Sequence, residues 1–476
     1  MRVIVCYKKF LSRYYLLTPL VLGALMRLLN LTRRDFWYDE AVTGYYAQLG
    51  WQDMILQLTA DTHPPLYFAS LKIFGYFFSY NVFSLRFYSA AWGIIGIIFL
   101  YFFSKKLLGK KIAYFTLMAA AASPFAVQYS QEARMYTMAL ALTFLALICA
   151  AEILNSGGLK NSLLFGFISG LAVLTSYIAL IYLFFLLPAL IIHEYYKKKR
   201  FRIGNFIPAV FIFLSIAGFW ILPMYSQIPT TGKKIFWVPD PGILNFLNLL
   251  QSFIFGLDSV SEGVSPFHFL PHPFDFVVVY FLSAAGLYLL VKNFRKNSYF
   301  IIFGIFAVPA AVFFYSLSRE NLFLPRYLAI SSYFLFMALG MLISKVKKFQ
   351  AAAFFAAYLI FCVFMVTRPA NTGYNLLAKD IASFKNYRFY VLNPFDYAVA
   401  EYYFGKKKVI LFNSDNPAYN PSGWLGLNQG LERKTDLAEL KNDRYGIVIW
   451  NDCLPPQNLP KEKILRRYDN LYLLLF

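Results

Sequence analysis

Apolar residues run along this chain in long stretches, broken by short basic loops. A helix rises about 1.5 Å per residue and a bilayer's hydrocarbon core is about 30 Å thick, so about 20 apolar residues cross it. Runs near 14–32, 86–103, 112–128, 136–153, 162–176, 177–193, 206–224, 274–292, 299–317, 327–344 and 349–367 reach or approach that length, which predicts about 11 spans. A further apolar stretch, "PPLYFASLKIFGYFF" at 64–78, is short, opens on two prolines and carries Lys72 midway.

The placement of lysine and arginine decides how that stretch is read, because cytoplasmic loops collect them. If 64–78 lies on the outer surface as a juxtamembrane helix, the short loops sort into 20 basic residues on one side and 7 on the other, or 9 with Lys72 and Arg86 counted. If it crossed, "SKKLLGKK" would land outside and the later loops would flip with it. The N-terminus is therefore expected in the cytoplasm and the loop holding Asp39 and Glu40 outside it. The basic and then apolar N-terminus is too long for a signal peptide and no small-residue cleavage site follows, so it reads as a retained first span.

After residue 367 the pattern changes. Short strand-like runs, "RFYVLN", "KKVILF", "YGIVIW" and "NLYLLLF", alternate with helix-like "FDYAVAEYYF" and "KTDLAELK". Such alternation predicts a small α/β domain, and an odd number of spans puts it outside the cytoplasm. The expected architecture is an α-helical polytopic membrane protein, with a transmembrane domain at 1–367 and an extracytoplasmic α/β domain at 368–476.

Composition agrees. Of 476 residues, 59% are hydrophobic and only 14% are charged, against about a quarter charged in soluble domains. The 52 Phe and 36 Tyr suit lipid-facing walls and interfacial belts. The net charge of +21 follows from topology, so no nucleic-acid partner is read from it. Cys6, Cys149, Cys362 and Cys453 have neither metal-site spacing nor a disulfide framework.

Polar residues on the outward side gather at Asp39-Glu40, at "DTHPPLY" (61–67), at "SQEARMY" (130–136) and at "SRENLFLPRY" (318–327). Each has a plain structural reading beside a chemical one. Asp39 and Glu40 suit the first turn of a helix "EAVTGYYAQL"; they also suit a general base or a divalent-cation ligand. His63 precedes a proline-started helix or touches a substrate or metal. Glu132 and Arg134 cap two helices as an ion pair, or Arg134 clamps a phosphate, and Arg326 has the same two readings. His268 and His272 read as surface residues of a long outer loop. Arg27 and Arg86, within or at the start of spans, are expected to snorkel to the interface.

"FWYDEAVTGYYA", "DTHPPLYFASLKIF", "SLRFYSAAWGIIGIIFLYFFSKKLLGKKIAYFTLMAAAASPFAVQYSQEARMY" and a late "PRYL", in this order, resemble the GT-C superfamily of integral-membrane glycosyltransferases. The likeness is to the family 39 type, related to protein O-mannosyltransferases and aminoarabinose-to-lipid-A transferases. It implies a polyprenyl-phosphate-linked sugar donor and an acceptor that is lipid, glycan or protein. Transfer would occur on the outer face of the plasma (inner) membrane, by inverting single displacement. It implies Asp39 as the base with Glu40 in support, and Arg134 and Arg326 as donor-phosphate ligands ahead of Lys233 or Lys234. His63, Glu132, Tyr136 and Tyr327 would contact substrate. Some relatives hold a divalent metal, for which His63, His268 or His272 with Glu40 or Glu132 are the residues available. A transporter or flippase of lipid-linked sugars is the alternative. It would place polar sites near the bilayer midplane in repeated halves, whereas acidic residues here concentrate in outer loops and no repeat is evident.

Overall fold

The computed structural model describes residues 16–198, 203–230, 241–256, 298–319, 321–367, 373–381, 387–391, 394–405, 409–412, 433–434, 445–450, 464–468 and 471–475. Six helices among these are long and apolar enough to cross a membrane: Val82–Leu108, Tyr136–Ser156, Tyr177–Tyr196, Gly204–Gln227, Tyr299–Ser318 and Lys348–Thr367. The chain is a multi-pass membrane protein. Large apolar side chains stand open on these helices, among them Phe184, Phe211, Leu222, Phe314 and Phe349, as lipid-facing positions do.

Three further expected spans coincide with shorter apolar helices, Leu17–Leu28 (α1), Leu159–Thr175 (α9) and Ala329–Ile343 (α15). The span expected at 112–128 is not one straight helix. It is two, Lys110–Ala121 (α6) and Pro124–Ser130 (α7), bent by 62°. The cause is local: Ser123 caps α7 by accepting the Ala126 N–H at 3.2 Å, and Pro124 occupies its first turn. The span expected at 274–292 lies outside the described residues.

The chain divides into two compact units, Met1–Leu29, His63–Tyr67 and Arg86–Thr367 in one, and Asn30–Thr62, Phe68–Leu85 and Arg368–Phe476 in the other. The divide cuts the helix Leu66–Phe78 (α4) after Tyr67 and the helix Val82–Leu108 (α5) after Leu85.

In the first unit, α9 packs on Ile207–Ala217 (α11) and on Tyr136–Ser156 (α8), and α15 packs on α6. Helices in lipid gain from close backbone approach at small residues. At Gly340 in α15, an added Cβ would stand 2.4 Å from Thr116 Oγ1 and 2.8 Å from Thr116 N on α6.

In the second unit, Tyr38–Gln48 (α2), Trp51–Ala60 (α3) and most of α4 join the C-terminal segment. The 13 residues of α4 rise about 20 Å, short of a bilayer's hydrocarbon core. A six-stranded sheet has the order β3-β2-β1-β4-β6-β5. Its strands are Arg388–Val391 (β1), Val409–Phe412 (β2), Arg433–Lys434 (β3), Tyr445–Trp450 (β4), Ile464–Tyr468 (β5) and Leu471–Leu475 (β6). The first four run parallel and β6 returns antiparallel to β4 and β5. Parallel neighbours need a crossover, and Pro394–Phe404 (α18) supplies it from β1 to β2. It ends at Gly405, whose φ of +87° suits a residue without Cβ. Tyr374–Ile381 (α17) packs on α18, and α18 packs on α2.

The close approach at Gly340 generates a test. Gly340→Ala should cost about 1–3 kcal/mol of stability through overpacking and lower the apparent melting temperature in detergent. Gly204→Ala, whose Cβ would meet nothing within 4 Å, should not. Equal midpoints for the two variants would refute the α6–α15 packing.

Candidate functional site

The break between α6 and α7 leaves residues 131–135 as a non-helical segment ahead of α8. Gln131, 3% exposed, turns its Nε2 onto the carbonyls of Leu29 (2.7 Å) and Met26 (3.1 Å). It thereby satisfies acceptors that α1 leaves open at its C-terminal end. Arg27 does not snorkel. It is 0% exposed, and its guanidinium donates to Gly23 O (3.0 Å) and Ala120 O (3.1 Å). Arg86 is buried as well. For Arg27, the Gly23 carbonyl within α1 and the Ala120 carbonyl in the last turn of α6 replace the water that snorkelling would reach.

Ser89 on α5 ties the motifs together. Its hydroxyl bonds with Tyr67 OH at 2.7 Å and reaches Arg134 O at 3.2 Å, and its carbonyl accepts the Thr137 hydroxyl at 2.8 Å. One serine thus joins "HPPLY" to "QEARMYT". The sequence reading passed over it, because a small polar residue near the start of a span is unremarkable in hydropathy.

Arg134 Nη2 lies 2.7 Å from His63 Nε2. A guanidinium only donates, so Nε2 accepts and the imidazole carries its proton on Nδ1. The Arg134 guanidinium lies 6.0 Å from the Tyr136 ring centroid, and that of Arg326 lies 5.4 Å from the Tyr327 centroid. The two tyrosine rings are 6.5 Å apart. Arg134, Arg326 and Glu132 are buried. The structure therefore brings His63, Arg134, Tyr136, Tyr327 and Arg326 into one aromatic-lined cationic set. Permanently charged guanidinium forks, planar and desolvated, bind phosphate and carboxylate oxygens strongly.

The acidic pair belongs to the second unit. Both residues lie in the first turn of α2, behind an extended Trp37. The Trp37 carbonyl accepts the N–H groups of Glu40 and Ala41 at 3.0 Å each, and Thr43 Oγ1 donates to Asp39 O at 2.7 Å. Glu40 is 0% exposed, while Asp39 is half-buried. The helix-terminus reading of the pair is thus realised in the backbone. Lys72 donates to the Ala47 and Leu49 carbonyls at the far end of α2 and lies over the Trp51 ring. Tyr45, on the same helix, has its phenol pushed above the usual range by burial and then by the Glu401 and Asp53 carboxylates. It stays a neutral hydroxyl at physiological pH.

Among the described residues no group of three His, Cys, Asp or Glu gathers as ligands of a metal would. His268, His272, Lys233 and Lys234 lie outside the described residues.

Residues 62–222 match the family model of dolichyl-phosphate-mannose-protein mannosyltransferases. No curated protein matches in sequence. Among solved structures, the chain is similar to ArnT from Cupriavidus metallidurans in the apo state, with a TM-score of 0.64, 13% identity and 98% of each chain covered. It is similar to the same protein bound to undecaprenyl phosphate, with a TM-score of 0.60, 14% identity, and 97% of this chain and 98% of that chain covered. The archaeal oligosaccharyltransferase AglB from Archaeoglobus fulgidus overlaps more loosely, at a TM-score of 0.46 and 14% identity over 86% of this chain and 65% of that one, too loosely to argue from. The resemblance to GT-C membrane glycosyltransferases read from the motifs is borne out by the family model and by the shared ArnT fold.

The His63–Arg134 geometry predicts an Nδ1–H tautomer. Nitrogen-15 NMR of histidine-labelled protein near neutral pH should show it for the signal that Arg134→Met perturbs. An Nε2–H signal there would contradict the hydrogen bond.

Proposed function

We propose that this chain is a glycosyltransferase that moves a sugar from a polyprenyl-phosphate-linked donor to a hydroxyl acceptor on the extracytoplasmic face. The observation that carries the reading is the two buried guanidiniums of Arg134 and Arg326, each over a tyrosine ring, in a multi-pass chain. Support comes from the ArnT fold, since one of those structures holds undecaprenyl phosphate.

The chemistry follows from charge. The donor is a phosphodiester with one negative charge. When the bond from its anomeric carbon to the phosphate oxygen breaks, the lipid phosphate leaves with two. Fixed guanidiniums therefore stabilise the leaving group more in the transition state than in the bound donor, the condition for acceleration. A phosphate leaving group needs no proton. The acceptor hydroxyl does have to lose one as its oxygen bonds the anomeric carbon, and Asp39 takes that proton. A single displacement inverts the anomeric centre. Glu40, buried beside it in sequence, supports the turn, and His63 fixes the Arg134 fork by accepting one of its N–H groups. Tyr136 and Tyr327 offer ring faces to sugar or lipid, and Glu132 faces substrate from the same segment as Arg134. The acceptor class is lipid, glycan or protein.

Purified protein offered radiolabelled polyprenyl-phosphate sugars and a membrane extract lacking the protein should transfer label. Asp39→Asn should lower turnover about 10²–10⁴-fold, the usual worth of a general base, with donor binding retained. Arg134→Lys should keep the charge but lose the fork, weakening donor use about tenfold or more. Donor that binds wild type without being consumed would leave transport as the reading. The face is tested separately: a cysteine at exposed Leu376 (43% exposed), with the four native cysteines replaced, should be labelled in intact cells by an impermeant maleimide. Labelling only after lysis would overturn the orientation.

A further inference from the structure

We infer that the helices α17 and α18 of the C-terminal segment set the geometry of the Asp39–Glu40 turn, with Tyr402 as the positioning residue and Asp35 as the anchor. The inference deepens the reading of Asp39 as base and rests on it for the effect on turnover.

The acidic pair follows an extended stretch, with Trp37 at φ −89° and ψ 172°. Extended backbone outside a sheet has no bonds of its own to hold it, so its position is set by what it touches. On the N-terminal side of the pair, the buried Asp35 carboxylate accepts the Gly373 N–H on Oδ2 at 2.9 Å and the Asn375 N–H on Oδ1 at 3.2 Å. Those amides open α17, so Asp35 caps a helix more than 300 residues away in sequence and places its negative charge at the positive end of the dipole. The next residue, Phe36, donates its N–H to Tyr403 OH at 3.0 Å, and its ring lies 4.7 Å from the Tyr402 ring.

The same Tyr402 ring meets the other side of the pair. At Gly44, one turn beyond Glu40, an added Cβ would stand 3.1 and 3.3 Å from two Tyr402 ring carbons. Glycine within a helix costs about 1 kcal/mol relative to alanine, and the approach of this ring gives position 44 a reason to carry it. Tyr402 is itself fixed, because its hydroxyl donates to Tyr80 O at 2.9 Å and its ring meets that of Tyr403 edge-on at 5.2 Å. One aromatic ring thus bears on Phe36 and on Gly44, and the two carboxylates lie between those contacts. A base displaced by about 1 Å loses about 10²-fold in rate, so such a wedge is worth turnover and not only stability.

The test uses full-length protein in detergent and two readouts. In hydrogen–deuterium exchange, Tyr402→Ala should raise exchange of the amides at 36–44 at least tenfold with exchange in the spans unchanged, while Tyr402→Phe, which keeps the ring, should stay within about threefold of wild type. In turnover of a polyprenyl-phosphate hexose, Tyr402→Ala should lower kcat at least tenfold at unchanged donor KM, and Tyr402→Phe should recover most of it. Should Tyr402→Ala fail to fold, Asp35→Asn, which gives up one of the two carboxylate acceptors, should show the same pattern at about fivefold or more. Unchanged exchange at 36–44 in the folded variants, or a Tyr402→Phe as damaged as Tyr402→Ala, would overturn the inference. Raised exchange at 36–44 with Asp39→Asn still active would uphold the clamp and refute Asp39 as the base.

Discussion

Backbone groups that a helix leaves open inside an apolar medium must find partners within the chain, and the first unit depends on meeting that demand at one place. The helices α6 and α7 part at Ala122–Ser123, and the carbonyls near that break and near the end of α1 would be stranded. Arg27 and Gln131 donate to those carbonyls, and Ser123 accepts the Ala126 N–H that α7 leaves open at its start. Between α7 and α8 the chain at 131–135 leaves the helix, and Arg134 stands where Ser89 bonds its carbonyl and His63 its guanidinium.

Buried guanidiniums are poor instruments of stability. Removing such charges from water costs several kcal/mol each, and apolar residues of similar volume often serve a fold as well or better. Arg27 turns both terminal nitrogens of its guanidinium to backbone carbonyls and so reads as structural. Arg134 and Arg326 each lie over the ring of one of two neighbouring tyrosines, 6.0 and 5.4 Å from the centroids. An anion whose charge grows during reaction gains most from such fixed, desolvated cations. That contrast separates one buried arginine that completes the scaffold from two suited to chemistry.

The second unit is built across sequence distance. Asp35 bonds amides at 373 and 375, Phe36 bonds Tyr403, and Tyr402 bonds Tyr80. The segment at 35–44 therefore reaches its final form only with the C-terminal helices α17 and α18 in place. Pairings so distant carry a loop-closure cost that local contacts avoid, and aromatic packing among Phe36, Tyr374, Tyr402 and Tyr403 offsets it.

Most span positions among the described residues and the strand runs at 388–391, 409–412, 445–450 and 471–475 were legible because each rests on composition within a short window. The motifs around Asp39, His63, Arg134 and Arg326 were legible as chemistry because charged residues at apolar boundaries are costly. Hydropathy averages over about 19 residues, so it read 112–128 as one span although Ser123 and Pro124 stood in it as a cap and a helix start. Arg27 was read as snorkelling because the carbonyl of Ala120 that receives it lies 93 residues on. Nothing local to Asp35, Gly44 or Tyr402 announces that they meet. Sequence by itself determined which segments are apolar and where charged residues stand at their boundaries. Only the tertiary structure decided which of them stand together, because that is set by hydrogen bonds and ring contacts between residues up to hundreds of positions apart, and these leave no periodic trace along the chain.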